Sequence, residues 1–167
     1  MARDQDLRQN RLVFYARDVE RLDGELDAFL ELSNARSALL IDKEGHLVTR
    51  RGEPIQAGSV ESIAALVAGS FAATREMARL LGEQEFTSLF HQGQRDSIQL
   101  QLIGDRTLLA IVFDERTNLG LVRFYAQEAV RNVERILTEL ADGRGEGAEQ
   151  LSEHFGADAA AALDKIL

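Results

Sequence analysis

The sequence predicts an α+β fold, an antiparallel sheet with helices on both of its faces. Three observations carry this. Two groups of short strand-like runs are joined by tight turns, at Lys43-Glu44-Gly45 and at Gly104-Asp105-Arg106. Three longer segments repeat their apolar residues at helical spacing. A single proline in 167 residues leaves those elements free of interior breaks.

The elements follow in order. Residues 1–11, "MARDQDLRQNR", are polar and form an N-terminal extension, and "RLVFY" after them is an apolar lead-in or a short strand. Val19, Leu22, Leu26, Phe29 and Leu30 predict a helix over Asp18 to Ser33. "SALLIDKEGHLV" reads as a hairpin, with Gly45 supplying the positive φ that its turn needs. A second helix follows from about Ser59 to Leu81. Then come three strands: a short one at Thr87 to Gln92, the alternating "DSIQLQLIG", and the continuously apolar "TLLAIVF", which reads as a central strand. Thr117 or Asn118 caps a last helix carrying Leu119, Val122, Ala126, Ala129, Val130, Val133, Leu137 and Leu140. The "ADGRGEG" run at 141–147 predicts a flexible linker, and 148–167 a helical tail containing Leu151, Phe155, Leu163, Ile166 and Leu167. The domain proper is therefore 12–140.

The second helix is unusual in composition. A surface helix has one large apolar stripe and one charged face. Here Ala65, Ala68, Gly69, Ala72 and Ala73 occupy the side that charge should occupy, with Arg75 and Glu76 following. Helical projection sets Ile63, Leu66, Val67, Phe71, Met77 and Leu81 toward the sheet and the small residues outward. Small residues four apart leave a shallow groove where another backbone approaches closely. Alanine as simple surface filling is the competing reading. Filling normally brings Glu and Lys pairs.

Composition excludes several classes. The net charge of -9 argues against a general nucleic-acid binder, which needs a concentrated basic face. The chain contains no cysteine, hence no disulfide framework or thiolate site, which fits a cytoplasmic protein. The N-terminus is not a signal peptide, and no apolar run approaches the roughly 20 residues of a membrane span. His46, His91 and His154 have no metal-ligand spacing, so no metal or other cofactor is expected. Asp114 and Glu115 beside Arg116 suit capping better than acid–base work. No glycine-rich phosphate loop is present, so the chain is not itself a nucleotide hydrolase. Arg50, Arg51, Arg75 and Arg116 are candidates for an inserted arginine finger, and nothing in the sequence selects one.

With these elements in view, "SALLIDKEGHLV" and above all "FHQGQRDSIQLQLIGDRTLLAIVFDERTNLGLVR" (90–123) resemble the roadblock/dynein light chain family. Phe-His-x-Gly, Asp-Ser, the strand ending Phe-Asp, and Thr-Asn-Leu-Gly-Leu-Val-Arg stand in register over roughly Leu12 to Leu140. The resemblance implies a five-stranded antiparallel sheet between the central helix and the two outer helices. It implies a homodimer, with a continuous sheet, made through Thr87, Ser88, Leu89, Phe90, His91 and Gln92. In the family's bacterial motility branch it implies a non-enzymatic activator of a small Ras-like GTPase, in cell polarity or motility, with enrichment at a cell pole. The GTPase would dock on Ala65, Ala68, Gly69, Ala72, Ala73, Arg75 and Glu76, where relatives carry smaller or neutral residues at the last two. The tail resembles the family only loosely; its own residues leave two readings open, a passive chain end or, through Phe155, Leu163, Ile166 and Leu167, a contact with the bound GTPase. Two other classes remain open: a dimeric scaffold or exchange-promoting partner, and a ligand-sensing or enzymatic α+β domain. No polar cluster converges to support the last.

Overall fold

The computed structural model describes the backbone of residues 2–55 and 60–164, and the side chains of 16–55 and 60–143. The elements are α1 (Ala2–Ser33), β1 (Ser37–Asp42), β2 (Leu47–Gly52), α2 (Val60–Leu80), β3 (Ser88–Gln92), β4 (Ser97–Ile103), β5 (Thr107–Phe113) and α3 (Leu119–Asp164). The five strands form one sheet in the order β2-β1-β5-β4-β3, and every neighbouring pair is antiparallel. The two hairpins and the α+β class expected from the sequence are both present.

Alternation along the strands gives the sheet two apolar faces. Leu39, Ile41, Leu100, Leu102, Leu108 and Ala110 pack against Ala64, Val67, Ala68 and Phe71 of α2. Their neighbours Ala38, Leu40, Leu109, Ile111 and Phe113 are buried on the other face. There α1 presents Leu22, Leu26 and Phe29, and the first part of α3 presents Val122, Ala126, Ala129 and Val133. Asn132 Nδ2 donates to Glu25 Oε2 at 3.0 Å and ties α3 to α1. Thr49 Oγ1 donates to Asp23, and Arg51 makes a two-pronged contact with Asp27 at 2.8 Å, so α1 is fastened over β2.

Helix ends follow sequence chemistry. Asn118 caps α3, its Oδ1 accepting from the Leu121 N–H at 3.0 Å. Gly82, at φ 78°, closes α2 with the paired bonds Gly82 N–H to Arg79 and Glu83 N–H to Ala78. Gly45 has the expected positive φ, 92°.

Three boundaries differ from the expectation. The helix predicted from Asp18 starts at Ala2, so residues 2–11 of the extension and "RLVFY" are helical. No proline or glycine interrupts residues 2–23, and one exposed Gly24 does not break a helix. The linker expected at 141–147 is helical as well, within α3. Each glycine there costs about 1 kcal/mol against alanine, but none removes a hydrogen-bond donor as proline would. β3 begins at Ser88, although the Thr87 carbonyl still accepts from Leu102 N–H at 2.8 Å. The chain divides into two compact units, residues 1–134 and residues 135–167. The second is the C-terminal part of α3 with the three residues that follow it. Ile166 and Leu167 lie outside the described residues, as do the side chains of Phe155 and Leu163.

Candidate protein-docking surface

The inner face of α2 is set by Phe71. Ala64, Val67, Ala68, Phe71, Thr74 and Ala78 are its buried residues, recurring at steps of three and four. Thr74 satisfies its own hydroxyl by donating to the Phe71 carbonyl at 2.7 Å. Small residues at 64, 68 and 78 bring the helix close to the sheet. The turn between β1 and β2 also comes close: a Cβ on Gly45 would lie 3.0 Å from the Ala65 Cα.

This corrects the projection made from sequence. Ala68 is not on the outer face; it is 7 % exposed and belongs to the core. Leu66, Met77 and Leu81, expected against the sheet, point outward instead. Leu66 is 72 % exposed, Met77 52 %, and Leu80 and Leu81 73 % each. The projection failed because it turned the largest side chains inward. The packed side is centred on one phenylalanine flanked by alanines. The signal that finds it is the run Ala64, Val67, Phe71, Thr74, Ala78, at steps of three and four.

The outer face of α2 is thus richer in apolar surface than the alanine groove expected. Leu66, Gly69, Ala73, Met77 and Leu80 follow one another at steps of three and four along it. Ala65 and Ala72 flank that stripe on one margin, both exposed. A Cβ on Gly69 would meet nothing within 4 Å, so nothing inside the chain requires glycine there. Arg79 and Glu76 pair across one turn at 2.5 Å, and Arg75 Nε lies 3.6 Å from Glu85, which Lys43 approaches at 3.9 Å. Glu76 is held below the usual carboxylate range by its Arg79 hydrogen bond. Arg75 and Glu76 are therefore both paired within the chain; Glu76 lies at the margin of the apolar stripe, whereas Arg75, four residues after Phe71 and three before Ala78, is at the spacing of the packed side. Such a stripe, rimmed by charge, is the anatomy of a protein interface.

The two edges of the sheet are unlike. β2 reads Leu-Val-Thr-Arg-Arg-Gly and carries Arg51 locked to α1. β3 reads Ser-Leu-Phe-His-Gln and carries no carboxylate, lysine or arginine. Leu89 packs toward α2, while Phe90 stacks on Phe113 on the opposite face with ring centroids 6.1 Å apart. Gln99, 1 % exposed, donates to Ser88 Oγ, and its Oε1 has no partner among the described residues.

At one end of the sheet lies an ion cluster. Arg36 meets Glu53 at 2.9 Å and Asp96 at 2.6 Å; Arg116 meets Glu53 at 2.8 Å and Asp114 at 2.9 Å. Hydrogen bonds from Arg116, then from Arg36, hold Glu53 below the usual carboxylate range. Arg116 is thus a clamp joining segments far apart in sequence. Arg51 and Arg116, two of the finger candidates, are both engaged internally. Among the described residues no group of three His, Cys, Asp or Glu side chains is placed to hold a metal ion. Nor is any helix among them long and apolar enough to cross a membrane.

A five-stranded antiparallel sheet in the order 2-1-5-4-3, with one helix on one face and the terminal helices on the other, defines a class. The Roadblock/LC7 domain matches residues 22–113, and this chain belongs to the Roadblock/LC7 family. Within that class it is similar to MglB of Myxococcus xanthus, at 36% identity and TM-score 0.68, covering 72% of this chain and 90% of that one. The gliding protein MglB from Thermus thermophilus is similar at 37% identity and TM-score 0.67, covering 73% and 92%. A Roadblock/LC7 domain from Streptomyces avermitilis shares the fold at 17% identity and TM-score 0.63, covering 70% and 97%. A comparison with curated proteins gave no match. Membership of this family, with MglB neighbours at moderate identity, supports small-GTPase regulation.

Proposed function

We propose that this chain is a homodimeric activator of a small Ras-like GTPase of the MglA type, acting in cell polarity or motility in the cytoplasm, at a cell pole. The observation that carries the reading is the outward apolar stripe of α2. Leu66, Met77 and Leu80 are more than half exposed on a helix whose packing needs are already met by Phe71 and its neighbours. Free-standing leucines at helical spacing cost solubility and are kept where a partner covers them. The docking residues are Ala65, Gly69, Ala72 and Ala73 from the sequence, with Leu66, Met77 and Leu80 added. Ala68 supports them from beneath. Glu76, paired with Arg79, forms the rim, and Arg75 lies behind it, paired with Glu85. The MglB relatives support the partner class.

The dimer forms through β3, the uncharged edge, which as a monomer would template aggregation. It brings the two α2 helices to one surface. Activation works by favouring the GTPase conformation in which its own groups reach the nucleotide. The C-terminal segment, with Phe155, Leu163, Ile166 and Leu167, makes a second contact with the bound GTPase.

Phosphate release from a purified MglA-type GTPase tests the reading. Addition of this protein should raise the single-turnover rate, and Leu66→Asp should abolish that rise while the far-UV spectrum and melting temperature stay unchanged. Tight binding without any acceleration would instead identify a scaffold, and faster nucleotide release an exchange factor.

A further inference from the structure

The charge on α2 lies along one margin of its outward stripe. Gly69, Ala73 and Leu80 mark the centre line of that stripe. Steps of about 100° per residue set Glu76 about 40° to one side of the line, and Glu61 and Arg79 about 100° to the same side. Ile63, Ser70 and Met77 stand on the other side, which carries no charge. The β1–β2 turn runs beside the charged margin. A Cβ on Gly45 would lie 3.0 Å from the Ala65 Cα and 3.5 Å from the Ala68 Cβ, and both alanines project to that side. Glu44 stands next to Gly45 in the turn. Glu44 and Glu61 are exposed and have no ion-pair partner among the described residues.

Glu76 is the charge nearest the stripe. It follows Ala72 by four residues and Ala73 by three, and precedes Leu80 by four, so a partner seated on those residues covers it as well. Arg79 grips both of its oxygens: Nη2 donates to Oε1 at 2.5 Å, and Nε to Oε2 at 3.2 Å. That hold keeps Glu76 ionised at neutral pH and fixes where its carboxylate stands. A carboxylate accepts about four hydrogen bonds, so the fork from Arg79 leaves lone pairs open. The two side chains are 61% and 69% exposed, and water now serves those lone pairs. Apolar surface laid over the pair would strip that water and return nothing. A second carboxylate would meet Glu76, Glu44 and Glu61 on a chain of net charge -9.

We infer that Glu76 is a specificity-determining residue of this face, and that the GTPase it accepts presents a lysine or arginine to its carboxylate. The inference rests on the GTPase docking proposed above and adds the chemistry of one contact. Arg79 is the positioning residue, holding the carboxylate at the stripe. A GTPase with an apolar or acidic group at that point is turned away, because the ion pair would be covered without compensation.

Titration with the purified GTP-loaded GTPase, at low and at moderate salt, tests this. Glu76→Gln keeps the shape and removes the charge. It should weaken binding about tenfold at low salt and flatten the salt dependence seen with the parent protein. Arg79→Gln should weaken binding less than Glu76→Gln does. Both substitutions sit on the surface, so each melting temperature should stay within about 2 °C of the parent. Unchanged affinity in Glu76→Gln makes the pair a bystander and overturns the inference. A greater loss in Arg79→Gln than in Glu76→Gln gives the partner an acidic group, and overturns it as well. Leu66→Asp separates this from the docking reading itself. If Leu66→Asp fails to bind while Glu76→Gln binds like the parent, the stripe stands and only the charge contact falls. If Leu66→Asp binds like the parent, the stripe is not the site and both fall.

Discussion

Gly69→Ala should make this protein more stable and a poorer partner. Gly69 lies in the middle of α2, is exposed, and has no positive φ, so alanine fits its backbone without strain. A Cβ there meets nothing within 4 Å. Alanine in place of glycine in an exposed helix interior is worth about 0.8–1.0 kcal/mol. For a chain of this size that raises the melting temperature by roughly 2–4 °C. The same methyl group stands in the middle of the Leu66–Leu80 stripe, where it holds off any backbone seated on the glycine. Gly24→Ala in α1 is the matched control, since Gly24 also has open space around it. Urea denaturation at two protein concentrations gives the stability of each variant, and titration with the GTP-loaded GTPase gives the affinity. Both alanines should stabilise; only Gly69→Ala should weaken binding. If Gly69→Ala destabilises at every concentration, an internal contact requires the glycine and the account of that face is wrong. If it stabilises and binds as well as the parent, the stripe is not the docking site.

Four further outcomes are expected. Phe71→Ala removes the centre of the α2 packing and should cost about 3–5 kcal/mol in urea denaturation, whereas Leu66→Ala should stay within about 0.5 kcal/mol. Ala68→Arg should unfold the protein by forcing charge into the core, while Ala72→Arg folds normally by circular dichroism and fails to bind the GTPase. Glu53 and Asp114 both titrate below the usual carboxylate range, chiefly through hydrogen bonds from Arg116. A carboxylate depressed on folding stabilises above its unfolded pKa, and the gain is lost as pH falls through the folded value. Arg116→Met should therefore lower the urea midpoint at pH 7, and the gap from wild type should narrow below about pH 4. Deletion of residues 148–167 should leave the sedimenting dimer unchanged and weaken GTPase binding; unchanged affinity would make that segment a passive end.

The strands are legible in the sequence because their signals are local. Gly45 and Gly104 punctuate the hairpins, and Ile98, Leu100 and Leu102 share one face of β4, the face toward α2. Asn118 is legible as a cap for the same reason. The rotation of α2 is not. It depends on which side chains fit between helix and sheet, and Ala64, Ala68 and Ala78 look like filler until the close approach is seen. A projection by side-chain size therefore turns Leu66 and Met77 inward and misses the apolar half of the proposed docking surface. Helix lengths are hidden for a different reason. Polar residues at 2–11 and glycines at 141–147 lower helical propensity without forbidding helix, so neither marks a boundary. The Arg36–Glu53–Arg116 cluster joins positions more than sixty residues apart, and no spacing rule anticipates it.

The contrast between the two edges decides how far a sheet of this kind grows. A strand with open groups on both margins copies itself indefinitely, which is the geometry of a fibre. Here one margin is uncharged and the other is guarded by arginines, one of them salt-bridged to α1. If two chains pair as proposed, the uncharged margins are both consumed and only guarded ones stay outside. Polymerisation then stops at its first step, and ten strands, twice the five of one chain, is the terminal length. Loss of the guard, by replacing Arg50 and Arg51 with valine, would turn a closed pair into a monomer unit for filaments.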